Sequence, residues 1–189
     1  METYHGYVES VLDALILFEA CDLGVLPRVS GRLSEDDRAH IRSGSVYIWD
    51  EEEACIQRWT DGRRWSSSRP CGNFIVYDEL AANHASGRAR ASDKSGNAKS
   101  RVSSPQASSN QGGKTAPTTP TASTGFGQRR KPILENGLIK RALSMNTANG
   151  RRLHLVSYYA LNDTDQRLLN IPRNDERLAN VRIPDAKYP

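Results

Sequence analysis

The stretch from Arg58 to Cys71, RWTDGRRWSSSRPC, holds the residue types best suited to contacting a polyanion. Arg58, Arg63, Arg64 and Arg69 fall within twelve residues, interleaved with Trp59, Trp65 and the serines Ser66, Ser67 and Ser68. A guanidinium presents a planar fork of donors that fits phosphate oxygens or base edges, and hydroxyls and loop amides bond phosphate as well. Asp61-Gly62 is a turn signal near the start of the run, and Asp61 is its only acid. The plainer alternative is an exposed loop whose arginines pair with the contiguous acidic run Asp50-Glu51-Glu52-Glu53. Trp49, Trp59 and Trp65 read as core or loop anchors, with Trp65 the candidate for a base-stacking exception.

Enzymatic chemistry finds no comparable cluster. The four histidines, His5, His40, His84 and His154, form no HExxH, no GxSxG is present, and no glycine pattern for nucleotide phosphates occurs. Cys21, Cys55 and Cys71 are odd in number and widely spaced, which argues against both a disulfide framework and a zinc site and suits a reducing compartment. No apolar run approaches a membrane span, and Glu2 and His5 stand where a secretory signal would be basic. The reading is therefore a non-enzyme without catalytic residues, metal, cofactor, small-molecule substrate or membrane partner.

Charge is unevenly placed. Residues 1–80 carry 8 Lys+Arg against 15 Asp+Glu, residues 81–130 carry 8 against 1, and residues 131–189 carry 10 against 6. An acidic first segment reaches a polyanion only through a local basic cluster, which the arginine run supplies. The elements that must position it are mixed. Ser10 with Asp13 and Ser34 with Asp37 are capping-box patterns, predicting helices over Val11 to Leu23 and from Ser34 to near Arg42. Ser45 to Trp49, Ile56 to Trp59 and Phe74 to Tyr77 have strand composition. Leu138 to Met145 and Arg152 to Tyr159 flank Asn149-Gly150 and predict a hairpin, with one face packed on the first segment and the other meeting solvent or a partner. Two strands alone are marginal, so the second segment needs the first and shares its sheet. The Pro-containing end predicts extended chain on that surface. Residues 81–132, rich in Ser, Thr and Gly, are too poor in large apolar side chains to order themselves and read as a disordered basic linker.

The phrases TYHGYVESVLDALILFEACDLGVLPRV, IRSGSVYIWDEEEACIQRWTDGRRWSSSRP and GLIKRAL with LHLVSYY resemble the WOPR-domain proteins, the Gti/Pac family of fungal regulators of morphological switching and sporulation. The resemblance spans most of residues 3–80 and 137–189. It implies an α+β fold in which two segments, 1–80 and 133–189, interlace into one globular unit with a mainly antiparallel sheet and short helices. It also implies sequence-specific binding of double-stranded DNA in the nucleus. On that resemblance Arg63 and Arg64 enter an A/T-rich minor groove, whose negative potential attracts a guanidinium. Gly62 and Arg58 flank them, Arg69, Ser66, Ser67 and Ser68 hold backbone phosphates, and Thr3, Tyr4 and His5 add contacts or form an edge strand. Arg58-Trp59-Thr60 offers a kinase site; phosphate on Thr60 beside the arginines weakens DNA binding. The chain reads as an isolated DNA-binding region of unspecified oligomeric state. The rival is a protein-interaction module whose basic loop docks an acidic partner; an RNA binder with exposed tryptophans is a further alternative.

Overall fold

The computed structural model describes residues 2–81 and 132–189, and these form one α+β unit. A six-stranded antiparallel sheet runs in the order β1-β2-β6-β5-β4-β3. Its strands are β1 (Tyr4–His5), β2 (Ser45–Asp50), β3 (Arg69–Cys71), β4 (Phe74–Asp78), β5 (Ile139–Asn146) and β6 (Arg152–Tyr159). The hairpin β5–β6 is inserted between β2 and β4, with Val46 opposite Ser157 and Val76 opposite Arg141. Neither segment closes the sheet alone, and each supplies the hydrogen-bonding edges the other needs. The inner residues of the 81–132 boundary meet, Ala81 N donating to Pro132 O at 3.1 Å. The linker expectation otherwise lies outside the described residues.

Local chemistry explains the helices. In α1 (Val11–Asp22) the Ser10 side chain accepts from Asp13 N while the Asp13 carboxylate accepts from Ser10 N, satisfying two otherwise orphaned amides. Ser34 and Asp37 repeat the device on α2 (Glu35–Ala39), which stops three residues short of the expected Arg42. Ile41 is 3% exposed. Docking it on the sheet draws the chain out of the helix. Asp50 ends β2 and caps the short α3 (Glu51–Ala54), which takes up the rest of the acidic run.

Each face of the sheet carries an apolar cluster. On one, Leu17 and Phe18 of α1 pack with Val46, Ile48, Leu153 and Leu155. On the other, Tyr47, Trp49, Val156 and Tyr158 lie under irregular chain carrying Val29, Leu33, Ile41 and Ile56, with Trp59 and Trp65 at the margin. The second face of the hairpin is buried along β6 but open along β5, where Ser144 is exposed and Ala142 half-buried, so the expectation that it meets solvent or a partner is corrected for β6 alone. The strand expected over Ile56 to Trp59 does not form. Its backbone joins no ladder, because Ile56 and Trp59 lie flat on the sheet face and Trp49 Nε1 donates to Ile56 O at 2.8 Å. The carboxyl-terminal chain, expected to be extended, makes two 3-10 turns, Pro172–Asn174 and Glu176–Leu178, before Tyr188 stacks on Phe18 with ring centroids 6.4 Å apart. Among the described residues no helix is long and apolar enough to cross a membrane.

Candidate nucleic-acid interface

The arginine loop is organised from beneath by its one acid. Asp61 is 5% exposed and accepts four donors: Arg63 N at 3.0 Å, Trp65 Nε1 at 3.0 Å, Lys140 Nζ at 3.1 Å and Tyr158 OH at 2.7 Å. Burial by itself raises its pKa, but the Trp65 hydrogen bond, the Lys140 charge and the Tyr158 hydroxyl outweigh burial and hold the carboxyl below the usual carboxylate range. Trp59 Nε1 in turn donates to Tyr158 OH at 2.7 Å, and its ring stacks on Trp49 at 4.7 Å. Lys140 Nζ also sits 4.4 Å over the Trp65 ring. Gly62, at φ +75°, provides the left-handed turn that lets the chain reverse above this hub.

The candidate residues divide by where this framework leaves them. Arg58, Thr60, Gly62, Ser67, Ser68 and Arg69 are exposed, and Arg58 has no ion-pair partner among the described residues. Arg69 lies on β3 and pairs with Asp78 at 2.6 Å while 58% of its side chain stays exposed. Arg63 is committed to the protein, donating to Glu79 Oε1 at 2.7 Å and to Ile41 O at 2.8 Å. Arg64 is half-buried, and its carbonyl accepts from Leu80 N at 2.8 Å. Ser66 joins the loop to β4 through Ser66 N to Asp78 O at 2.8 Å and Asp78 N to Ser66 Oγ at 3.0 Å. All three tryptophans are anchored through the indole nitrogen, Trp65 donating to Asp61, Trp49 to Ile56 O and Trp59 to Tyr158 OH.

Thr3 and Tyr4 point into the protein at 4% and 3% exposure. Thr3 Oγ1 accepts from Ile48 N at 3.0 Å, and Tyr4 OH donates to Asp175 at 3.0 Å. His5 is exposed beside Glu2. The acidic run does not neutralise the loop, since Asp50, Glu51 and Glu53 bond Arg151, His154 and Arg28. Sequence reasoning took Asp61 for a turn residue and missed Lys140, Tyr158 and Glu79. Alternation on β5 and β6 was the available signal, since Lys140 stands opposite Tyr158 in the register.

The same architecture occurs in solved structures. Complexes of the WOPR domain of Wor1 from Candida albicans with 13bp and 17bp dsDNA superpose with TM-scores of 0.66 and 0.65 at 26% and 27% identity. The match covers 98% of this chain in both cases, and 93% and 95% of the respective neighbours. Fold and loop together define an α+β domain of the WOPR type, a regulatory module and not an enzyme. The chain belongs to the Gti1/Pac2 family, whose profile matches residues 3–160. It is 39% identical over 204 residues to the cAMP-independent regulatory protein pac2 of Schizosaccharomyces pombe, covering all of this chain and 83% of that protein. It is 37% identical over 201 residues to the global transcription regulator sge1 of Gibberella moniliformis, where the match covers 98% of this chain and 61% of the relative.

Proposed function

We propose that segments 1–80 and 133–189 act as one domain that binds double-stranded DNA in the nucleus, as part of a transcription regulator. The observation that carries this reading is the inward turn of Asp61. The loop's only acid is buried, so the outer surface of the run presents arginines and hydroxyls to a polyanion. The WOPR-domain complexes with dsDNA support the choice of duplex over single strand.

Within that surface the residues take different parts. Arg63, bonded to Glu79 and Ile41, serves as a strut, and insertion into an A/T-rich minor groove is assigned to Arg64 from its place in the run, two residues past the Gly62 turn. Arg58, Arg69, Ser67 and Ser68 hold backbone phosphates. Thr60 is exposed and open to a kinase, and a phosphate there would oppose the duplex.

Binding-site selection on random duplexes tests the reading. A preferred A/T-containing site is expected, with Arg64→Ala losing about 1 to 3 kcal/mol on it and discriminating less among sequences. Absence of any preference among duplexes at moderate ionic strength would sink the proposal.

A further inference from the structure

Beside the arginine loop lies a second group of guanidiniums that the loop does not explain. Arg32, Arg38, Arg58 and Thr60 line a small cavity of about 80 Å³. Its remaining walls, Leu33, Ile56 and Trp59, are apolar, and no carboxylate lines it. Like charges brought together over an apolar floor repel one another and are stabilised by an anion in their midst.

The surroundings hold this arrangement in place. Leu33 and Ile56 are 6% and 3% exposed, and Trp59 is fixed by Trp49 and Tyr158. Arg38 is braced by Nε and Nη2 donating to Leu33 O at 3.2 and 3.1 Å. Its Cδ comes within 3.7 Å of a Cβ position on Gly62, so the cavity abuts the turn of the arginine loop. Arg32 and Arg58 are exposed and unpaired among the described residues. Arg32 and Arg58 also line an adjoining groove with Glu51 and Glu52, where Glu51 is bound to His154 at 2.7 Å.

We propose that Arg32, Arg38 and Arg58 form a socket for one phosphoryl group, and that its occupant is a backbone phosphodiester of the duplex held by the neighbouring loop. This rests on the duplex-binding reading above. The volume is far below the roughly 300 Å³ at which small-molecule sites begin, so a tetrahedral oxyanion fits and a nucleobase does not. Duplex DNA presents a phosphate about every 3.4 Å along each strand, so a strand lying on the loop passes the cavity as well. The socket extends the footprint onto the α2 side of the domain through Arg32 and Arg38, which reading the arginine run alone would not find.

The test uses Arg32→Gln, because Arg32 is exposed and braces nothing, and it has two arms. In the first, fluorescence anisotropy follows binding to a preferred and a scrambled duplex across salt concentrations. The variant is expected to bind both about threefold to tenfold more weakly, with the salt slope shallower by about one unit. In the second, inorganic phosphate is titrated into the free protein while the guanidinium NMR signals are followed. Phosphate should shift Arg38 and Arg58 in the parent and several-fold less in Arg32→Gln.

Unchanged affinity and slope in a parent that binds duplexes would overturn the socket as a DNA contact, even if inorganic phosphate binds. A loss confined to the preferred duplex would overturn it too, since Arg32 would then be reading bases. If the parent binds no duplex, the functional reading falls and with it the assignment of a phosphodiester. The phosphate titration then decides whether an anion socket exists at all.

Discussion

The clusters on the two faces of the sheet are covered by different means. Under α1 the contact is apolar, with Leu17, Phe18, Val46, Ile48, Leu153 and Leu155 all fully buried. A helix satisfies its own backbone groups, so that face needs little more than complementary shape. The opposite face lies under irregular chain, whose carbonyls and amides have no ladder to join. Side chains do that work instead. Trp49 donates to Ile56 O, Arg38 to Leu33 O and Arg63 to Ile41 O, while Asp61 accepts from Arg63 N. A binding loop can be both irregular and fixed when a buried polar centre replaces secondary structure, and Asp61 is that centre here.

The contrast is tested hardest by Asp61→Ala against Leu155→Ala. Removing Asp61 strands Lys140 and Tyr158 without their acceptor, and breaking such a buried pair costs about 3 to 5 kcal/mol. Leu155→Ala leaves a cavity in the apolar core at about 2 to 5 kcal/mol. The sizes overlap but the locations should not. Hydrogen exchange is expected to show residues 58–67 opening selectively in Asp61→Ala and uniform loss of protection in Leu155→Ala; the same pattern in both would break the distinction.

Protonation makes a partial version of the same change. The folded pKa of Asp61 lies below its ordinary 3.8, so the hub contributes fully above the unfolded value and is lost as pH falls through the folded one. Thermal melts below about pH 4 should therefore decline less steeply for Asp61→Asn than for the parent. Equal acid limbs would mean that the hub carries no net stability.

Arg63→Ala comes next. It leaves Glu79, with an 11% exposed side chain, and the Ile41 carbonyl short of a donor, at about 1 to 3 kcal/mol by urea unfolding. Arg64→Ala, if Arg64 acts at the groove, costs about 1 to 3 kcal/mol in duplex binding, more than Arg63→Ala does. Reversal of the two profiles would exchange the roles of strut and insertion.

What could be read from the sequence was local or periodic. Ser10 with Asp13 and Ser34 with Asp37 announce helix starts because both partners of the capping box lie three residues apart. Asn149-Gly150 sets the hairpin, with Gly150 at φ +83°, and β2 and β6 declare themselves by composition. Ile56 to Trp59 misled because apolar, aromatic content suits a chain lying flat on a sheet as well as a strand within it. Asp61 was opaque for a different reason: its partners Lys140 and Tyr158 lie 79 and 97 residues away. A carboxylate beside a glycine looks the same whether it faces water or a buried lysine, and only the interlaced topology decides. The candidate contacts split likewise, since Arg63 and Arg69 are arginines of one run and each pairs with an acid, but the Arg63 side chain is 28% exposed and that of Arg69 58%.

Arg69 gives the smallest effect and the sharpest separation of fold from binding. Its bridge to Asp78 is short at 2.6 Å, yet the Arg69 side chain is 58% exposed. A pair of that kind contributes roughly 0.2 to 1 kcal/mol, because water screens the attraction and ordering a long side chain offsets it. Arg69→Ala should hence unfold within about 1 kcal/mol of the parent while its duplex-binding salt slope falls by about one unit, equally for preferred and scrambled sequences. Asp78→Asn separates the two parts of that statement. It frees Arg69 from its protein partner without removing the guanidinium, so binding should be kept or strengthened; a loss matching that of Arg69→Ala would show that the pair shapes the edge of the sheet and that Arg69 holds no phosphate.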